Sequence, residues 1–142
     1  MMHVFRSPVL QAWATGFPVT LLHALVTMLI LAAGATVYAL ITPHKEIALI
    51  REGNTAAAVS FGGVLLGLAL PLAASLAASV SLLEIALWGA TTVFVQLAVF
   101  RLADLALHGL PARIAKGEMA AAALLVGAKI ATSVVLAAAV AA

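Results

Sequence analysis

Four long apolar stretches, each able to cross a bilayer as a helix, occupy most of this 142-residue chain. We place them at Phe17–Ile41, Thr55–Val80, Leu83–Leu107 and Met119–Ala142. About 20 helical residues span the hydrocarbon core, and continuous apolar runs lack the alternation of barrel strands. The pattern predicts an all-α membrane protein with four transmembrane helices.

Composition excludes the main alternatives to this architecture. Hydrophobic residues make up 65% of the chain and charged residues 8%, whereas a soluble domain averages about 45–50% and roughly 25%. A soluble domain of this length could not bury so much apolar surface, so we exclude a soluble domain, a disordered chain and a nucleic-acid-binding module. The chain has no cysteine, and we find no metal-ligand cluster, phosphate loop or catalytic carboxylate pair. We therefore expect no enzymatic activity and no cofactor.

Two short polar links, Pro43–Asn54 and His108–Glu118, contain most of the charges. Four of the seven Lys and Arg residues lie in these links: Lys45, Arg51, Arg113 and Lys116. The positive-inside rule places both links in the cytoplasm and both termini in the periplasm. We expect residues 1–16 to form an interfacial segment and Tyr38 to lie near the cytoplasmic interface.

The chain contains an internal repeat with an offset of 64 residues. Ile50–Ala58 aligns with Ile114–Ala122, and both segments follow the pattern I-x-x-G-x-x-A-A-A. Each unit contains two spans, so the units have the same orientation. We predict two parallel two-helix repeats, residues 17–80 and 83–142. At each repeated junction we predict a sharp turn at a glycine, Gly53 or Gly117, followed by a helix N-terminus at Asn54 or Glu118. The alternative is that the two helix N-termini form an anion site facing the cytoplasm.

Two segments around these junctions carry a family resemblance. The first reads E-I-A-L-I-R-E-G-N-T-A-A-A-V-S-F-G-G from Glu46, followed by L-G-L-A-L-P-L, and the second reads R-I-A-K-G-E-M-A-A-A from Arg113. The chain resembles the YjfL-type bacterial inner-membrane family, a domain of unknown function numbered 350. The resemblance implies tandem two-helix units in the inner membrane and a link to envelope stress or peripheral membrane proteins. It supplies no activity, substrate or catalytic residue.

Lys129 lies near the middle of the fourth span. An unpaired lysine at that depth costs roughly 2.5–3.5 kcal/mol on insertion scales, so it needs a partner or water. We predict Asp104, near the cytoplasmic end of the third span, as its counter-ion. The alternatives are a pair between Asp104 and Arg101 at i,i+3 and a relay that also includes His108. Gln96 lies near the level of Lys129 and is a candidate bridge.

The second span contains three glycines in a G-x-x-x-G context, Gly62, Gly63 and Gly67, and the fourth contains Gly127. Small residues let transmembrane helices approach closely. We expect these positions to pack helices together and the protein to self-associate through the second span. Pro71 should kink that span.

The histidines of the first span and of the two links have separate interpretations. We expect His23, within the first span, to make a hydrogen bond between helices. His44 and His108 lie at equivalent positions of the two links, and with Glu46 they offer a weak alternative as a metal site.

Lys129 decides between two functional hypotheses. The first is a small permeation or transport module, which needs a charge inside the membrane. The second is a scaffold whose basic links recruit peripheral cytoplasmic proteins or anionic lipid, which has no need of that charge. Because four spans leave little room for a pathway, we expect a homodimer or a larger oligomer.

Overall fold

The computed structural model describes residues 7–43 and 45–142, which form six helices in two similar sets of three. In chain order they are α1 (Pro8–Ile41), α2 (Glu46–Arg51), α3 (Thr55–Ala78), α4 (Leu82–Ala106), α5 (Leu110–Ala115) and α6 (Met119–Ala141). The helices α1, α3, α4 and α6 are long and apolar enough to cross a membrane. The described ranges contain no strand, and the predicted all-α class with four spans is confirmed.

The first helix begins at Pro8, nine residues before the predicted start of its span. Ser7 caps it by accepting a hydrogen bond from the backbone N–H of Leu10 at 3.2 Å, and a proline fits the first helical position. Residues 8–16, which were expected in a separate interfacial segment, therefore continue the helix of the first span. The other three long helices begin within one residue of their predicted starts.

The two short helices lie at the same end of the bundle, which we call the link end. The opposite end, where residues 79–81 join α3 to α4, is the turn end. Gly53 and Gly117 have φ angles of 89° and 86°. In both turns the glycine N–H donates to the carbonyl three residues earlier, and the following N–H donates to the carbonyl five residues earlier. The short helices and their closing turns thus follow the 64-residue offset, with glycine where a left-handed backbone is required.

The central contact of the bundle is between α3 and α6. Near the link end, four alanines from the two helices pack with two larger side chains in one cluster: Ala56, Ala57, Ala121, Ala122, Ile114 and Leu125. A second cluster joins α1, α3 and α4 around Tyr38, Leu68 and Phe100. Most of the apolar side chains of α1 are exposed, as expected of a helix that faces lipid.

The glycines of α3 make their close contacts within this chain. A Cβ atom at Gly63 would lie 2.6 Å from Val126 of α6, and one at Gly67 would lie 2.6 Å from Phe100 of α4. The surface expected to drive self-association is therefore covered by the chain's own helices. At Gly62 and Gly127 a Cβ atom would meet nothing within 4 Å among the described residues of this chain, so their role in helix packing stays a prediction.

Candidate functional site

The fold buries Lys129 completely because of its position on α6. The buried residues of this helix recur every four positions, at Ala121, Leu125, Lys129 and Ser133, and form one stripe against the rest of the bundle. The side chain of Lys129 is 0% exposed. Its charge therefore lies inside the protein and has no contact with lipid.

The predicted pairing of Lys129 with Asp104 is confirmed. The Nζ atom lies 2.9 Å from Oδ1 of Asp104, an ion-pair contact whose angles do not meet those of a hydrogen bond. The Nζ atom also donates a hydrogen bond to the hydroxyl of Tyr38, and that hydroxyl donates to Oδ2 of Asp104 at 3.2 Å. The three side chains, from α6, α4 and α1, form a closed polar group that links three helices.

Two aromatic rings complete the surroundings of the ammonium group. The Nζ atom lies 4.6 Å from the ring centroid of Tyr38 and 5.5 Å from that of Phe100. The face of an aromatic ring attracts a desolvated cation. The sequence places Tyr38 near the interface and predicts no partner for it, and its one distinguishing signal is that it is the single tyrosine of the chain.

Asp104 also faces a second cation, as the alternative interpretation proposed. The Nη1 atom of Arg101 lies 3.7 Å from Oδ2 of Asp104, one turn away on the same helix. The guanidinium group makes no hydrogen bond to the residues that the structure describes. Asp104 thus lies between a fully buried lysine and a partly exposed arginine.

Glu46, the first residue of α2, brings a second carboxyl group to this region. Glu46 is only 8% exposed to solvent. The Oε1 atom accepts a hydrogen bond from Ser60 at 3.5 Å, whereas Oε2 is buried with no partner among the described residues. Burial raises the pKa of Glu46 to about 7, with Lys129 opposing the rise and Asp104 adding to it. In the sequence, Glu46 is a charge in a polar link, which is typical of a solvated surface, and no local pattern indicates its burial.

A pocket of about 190 Å³ lies at the link end, and this cluster forms part of its wall. Its polar lining comes from α1, α2, α4 and the segments that follow α1 and α4: Tyr38, Thr42, Glu46, Arg101, Asp104 and His108. Three members of the predicted relay, Asp104, Arg101 and His108, therefore share one pocket. Lys129 is not among the lining residues, but its Nζ atom contacts two of them, Tyr38 and Asp104.

Other predicted polar residues lie apart from this pocket. Gln96 is wholly buried, but neither atom of its amide group has a partner in the described part of the chain, so it does not bridge Lys129 to Asp104. His23 is half-buried, and the hydrogen bond found there is from the Thr27 hydroxyl to the His23 backbone carbonyl. His44 lies outside the described residues, so its meeting with His108 stays a prediction. Within residues 7–43 and 45–142, no group of three His, Asp or Glu side chains is placed to hold a metal.

The two junctions differ in their side chains. Asn54 accepts a hydrogen bond from the N–H of Ala57 at 2.9 Å, which confirms the predicted cap. Its Nδ2 atom also donates to the carbonyls of Ile114 and Ala115, each at 3.1 Å. Glu118 makes no capping bond and instead pairs with Arg113. An anion site between these helix N-termini stays a prediction.

Comparison with known proteins places the chain in a family. The family model described as Domain of Unknown Function (DUF350) matches residues 12–140. The UPF0719 inner membrane protein YjfL of Escherichia coli strain K12, and that of Escherichia coli O157:H7, are each 42% identical over 64 residues. Each match covers 45% of this chain and 48% of the relative's length, and no solved structure matches. With its four apolar helices, this multi-pass inner-membrane protein belongs to the DUF350 family.

Proposed function

We propose that the chain is a non-catalytic permeation or transport module for a proton or small ion. In this proposal, the pocket at the link end admits the ion to the Lys129–Asp104 pair. The main supporting observation is a lysine that is 0% exposed and ion-paired next to a polar pocket. Replacing a buried ion pair by well-packed apolar groups is often neutral or stabilising. Stability alone is therefore a poor explanation for the pair, whereas a polar pathway requires such groups.

Polar side chains continue inside the bundle toward the turn end. The amide group of Gln96 and the hydroxyl of Ser75 are buried without partners among the described residues. Ser75 also lines a second pocket of about 580 Å³ at the turn end, together with Glu84 and Trp88. Unpartnered buried polar groups are typical sites of ordered water. They support a path that crosses the bundle in separate polar steps.

The remaining parts of the proposal concern orientation and assembly. The Lys and Arg residues of the links favour a cytoplasmic link end, with both termini in the periplasm. Since one bundle of four spans has little space for a continuous opening, we include a homodimer or a larger ring in the proposal.

A scaffold that recruits peripheral proteins or anionic lipid is the second candidate. Four basic side chains are exposed at the link end: Lys45, Arg51, Arg113 and Lys116. Each contributes about 1 kcal/mol near an anionic surface, although Arg113 already pairs with Glu118. This alternative leaves the buried Lys129 without a role.

Ion flux into vesicles tests the proposal. Purified protein is reconstituted into proteoliposomes that contain a pH-sensitive dye or a chloride-sensitive dye, and a pH or chloride gradient is imposed. We expect wild type to exceed Lys129→Met in at least one flux, and Lys116→Met, which alters an exposed link lysine, to match wild type. Equal rates for wild type and protein-free vesicles with both dyes would contradict a transport role and favour the scaffold.

A further inference from the structure

The charges around the link-end pocket do not cancel. Lys129 and Asp104 neutralise each other at 2.9 Å. Among the described residues, Arg101 forms an ion pair with Asp104, at 3.7 Å, and makes no side-chain hydrogen bond. A guanidinium group presents five donors in a planar fork that suits an anion. A partly exposed guanidinium group therefore lines a pocket that lies beside an already neutral pair.

The state of Glu46 decides the net charge of the pocket. An ionised Glu46 would place a second carboxylate near Asp104 with its Oε2 atom buried and unpartnered, and it would cancel the charge of Arg101. With a neutral His108, a protonated Glu46 leaves a net charge of +1 and has an O–H group that can donate to an anion. The protonated form therefore complements a bound anion, and the ionised form repels it.

We propose that the link-end pocket binds one small monovalent anion against Arg101, together with one proton on Glu46. The inference rests on the proposed function for its choice of pocket, and it names the solute and the coupling that the proposed function leaves open. The pocket volume of about 190 Å³ holds an ion such as chloride or nitrate with a few water molecules.

Linkage gives the sign of the coupling. An anion that favours the protonated carboxyl is itself favoured by protonation, by the same factor. Since burial raises the pKa of Glu46 to about 7, proton uptake on binding falls in the neutral range. Below about pH 7 the proton is already present and affinity is highest, whereas above that pH affinity falls by up to tenfold per unit.

Other charged and titratable groups face Glu46 from the helices around it. They are Tyr38 from α1, Arg101 and Asp104 from α4, His108 before α5, and Lys129 from α6. The α3 helix contributes the neutral Ser60, and α5 contributes Pro111 and Ala112, which do not titrate. His108 is the one imidazole among these described side chains, so its substitution is the necessary comparison.

The test measures anion binding and proton uptake by the full chain in detergent, without a gradient. Sodium chloride or sodium nitrate is added at pH 8 and pH 5.5, with gluconate keeping the ionic strength constant. Calorimetry gives the affinity, and a pH indicator in weakly buffered solution gives the number of protons. For wild type we expect about one proton taken up at pH 8, almost none at pH 5.5, and up to about tenfold tighter binding at the lower pH.

Matched variants identify the groups responsible. Glu46→Gln should bind chloride without proton uptake and nearly independently of pH, whereas His108→Gln should retain the uptake. Arg101→Gln should weaken binding at least tenfold, with Arg101→Lys between it and wild type, and the exposed Lys116→Gln should match wild type. Gel filtration of each variant shows that a loss of binding is not a loss of folding.

The outcomes separate this inference from the proposed function. Absence of chloride and nitrate binding to wild type, binding without proton uptake at pH 8, or unchanged binding by folded Arg101→Gln would each overturn it. A protein that binds anion and proton in detergent but conducts neither in vesicles would overturn the transport role and leave the binding site. Flux in vesicles without anion-linked proton uptake in detergent would overturn this inference and leave the transport role.

Discussion

The two sets of three helices, α1–α3 and α4–α6, have similar backbones and different chemistry. Their short helices and positive-φ glycines lie in the same 64-residue register. In that register Asp104 and Lys129 of the second set correspond to Leu40 and Leu65 of the first. Asp104 is 7% exposed and Leu40 is 79% exposed. The repeated backbone therefore does not give a repeated site.

The packing of α3 and α6 explains this difference. The α3 helix contacts α1, α4 and α6, so buried residues occur around much of its circumference, whereas α6 is buried along one stripe. A residue can thus face protein in one set and lipid in the other. Lys129 occupies the buried stripe of α6, and its counterpart Leu65 is 39% exposed on α3.

The strongest way to test this comparison is to remove one charge of the buried pair. Asp104→Asn leaves Lys129 buried without a counter-ion, and such a change costs about 3–5 kcal/mol of unfolding free energy. Leu40→Asn, the matched control at the exposed counterpart, should cost much less. Unfolding in increasing sodium dodecyl sulfate measures both, and the double variant Lys129→Met with Asp104→Asn should recover part of the loss. Additive losses in the double variant would show that the two side chains are not coupled.

A bulky residue at Gly67 tests the difference between α3 and α6 without altering charge. A Cβ atom there would lie 2.6 Å from Phe100 and 2.8 Å from the Oγ atom of Ser133. We expect Gly67→Leu to lower the unfolding free energy by about 1–3 kcal/mol. Its counterpart Ala131 is exposed on α6, so Ala131→Leu should change it little. Equal effects in the same unfolding assay would mean that the two helices are equally buried.

The junction residues allow a smaller test of the same asymmetry. Asn54→Ala removes a cap and two hydrogen bonds to the other link, and a lost cap costs about 0.5–2 kcal/mol. Glu118→Ala removes an exposed ion pair with Arg113, which is typically worth about 0–1 kcal/mol. Chemical unfolding should therefore rank Asn54→Ala as the more destabilised variant, and the opposite order would contradict the assignment of the junctions.

The test with the smallest expected effect varies pH. It uses Glu46, which can gain or lose a proton, whereas its counterpart in the other set, Leu110, cannot. The pKa of Glu46 is raised from an ordinary value of 4.5 to about 7, so the folded chain binds this proton more tightly than the unfolded chain. Its contribution to stability is complete below about pH 4.5 and is lost as pH rises through 7, by at most about 1.4 kcal/mol per pH unit. Glu46→Gln should flatten this slope in thermal unfolding, whereas Glu52→Gln, at an exposed residue of the same link, should keep it. An unchanged slope in Glu46→Gln would show that the folded protein does not hold this proton more tightly than the unfolded chain.

Sequence alone predicted the features that the bilayer imposes. Continuous apolar runs identify four spans, and the cost of a midplane charge pairs Lys129 with Asp104. Angles around a helix were harder to predict. Gly62 and Gly63 are adjacent, about 100° apart on the helix, yet only Gly63 contacts α6. For the same reason the depth of Gln96 did not predict its isolation from the ion pair.

Residues brought in by tertiary folding could not be predicted from local pattern. Glu46 reads as a solvated charge in a link, and only the docking of α2 against α3 buries it beside Ser60. Tyr38 joins the ion pair because α1 packs against α4, and neither helix encodes that contact in its own periodicity.

The hydrogen bonds from Asn54 also have a consequence for biosynthesis. Their acceptors, Ile114 and Ala115, lie 60 and 61 residues later in the chain. At about 5–20 residues per second, the ribosome takes roughly 3 to 12 s to make the intervening segment. During that time the amide of Asn54 has only its own helix as a partner. The first two spans are therefore expected to enter the membrane as a hairpin whose surface at the link end is incomplete. The hydrogen bonds from Asn54 form only after the second hairpin has been inserted.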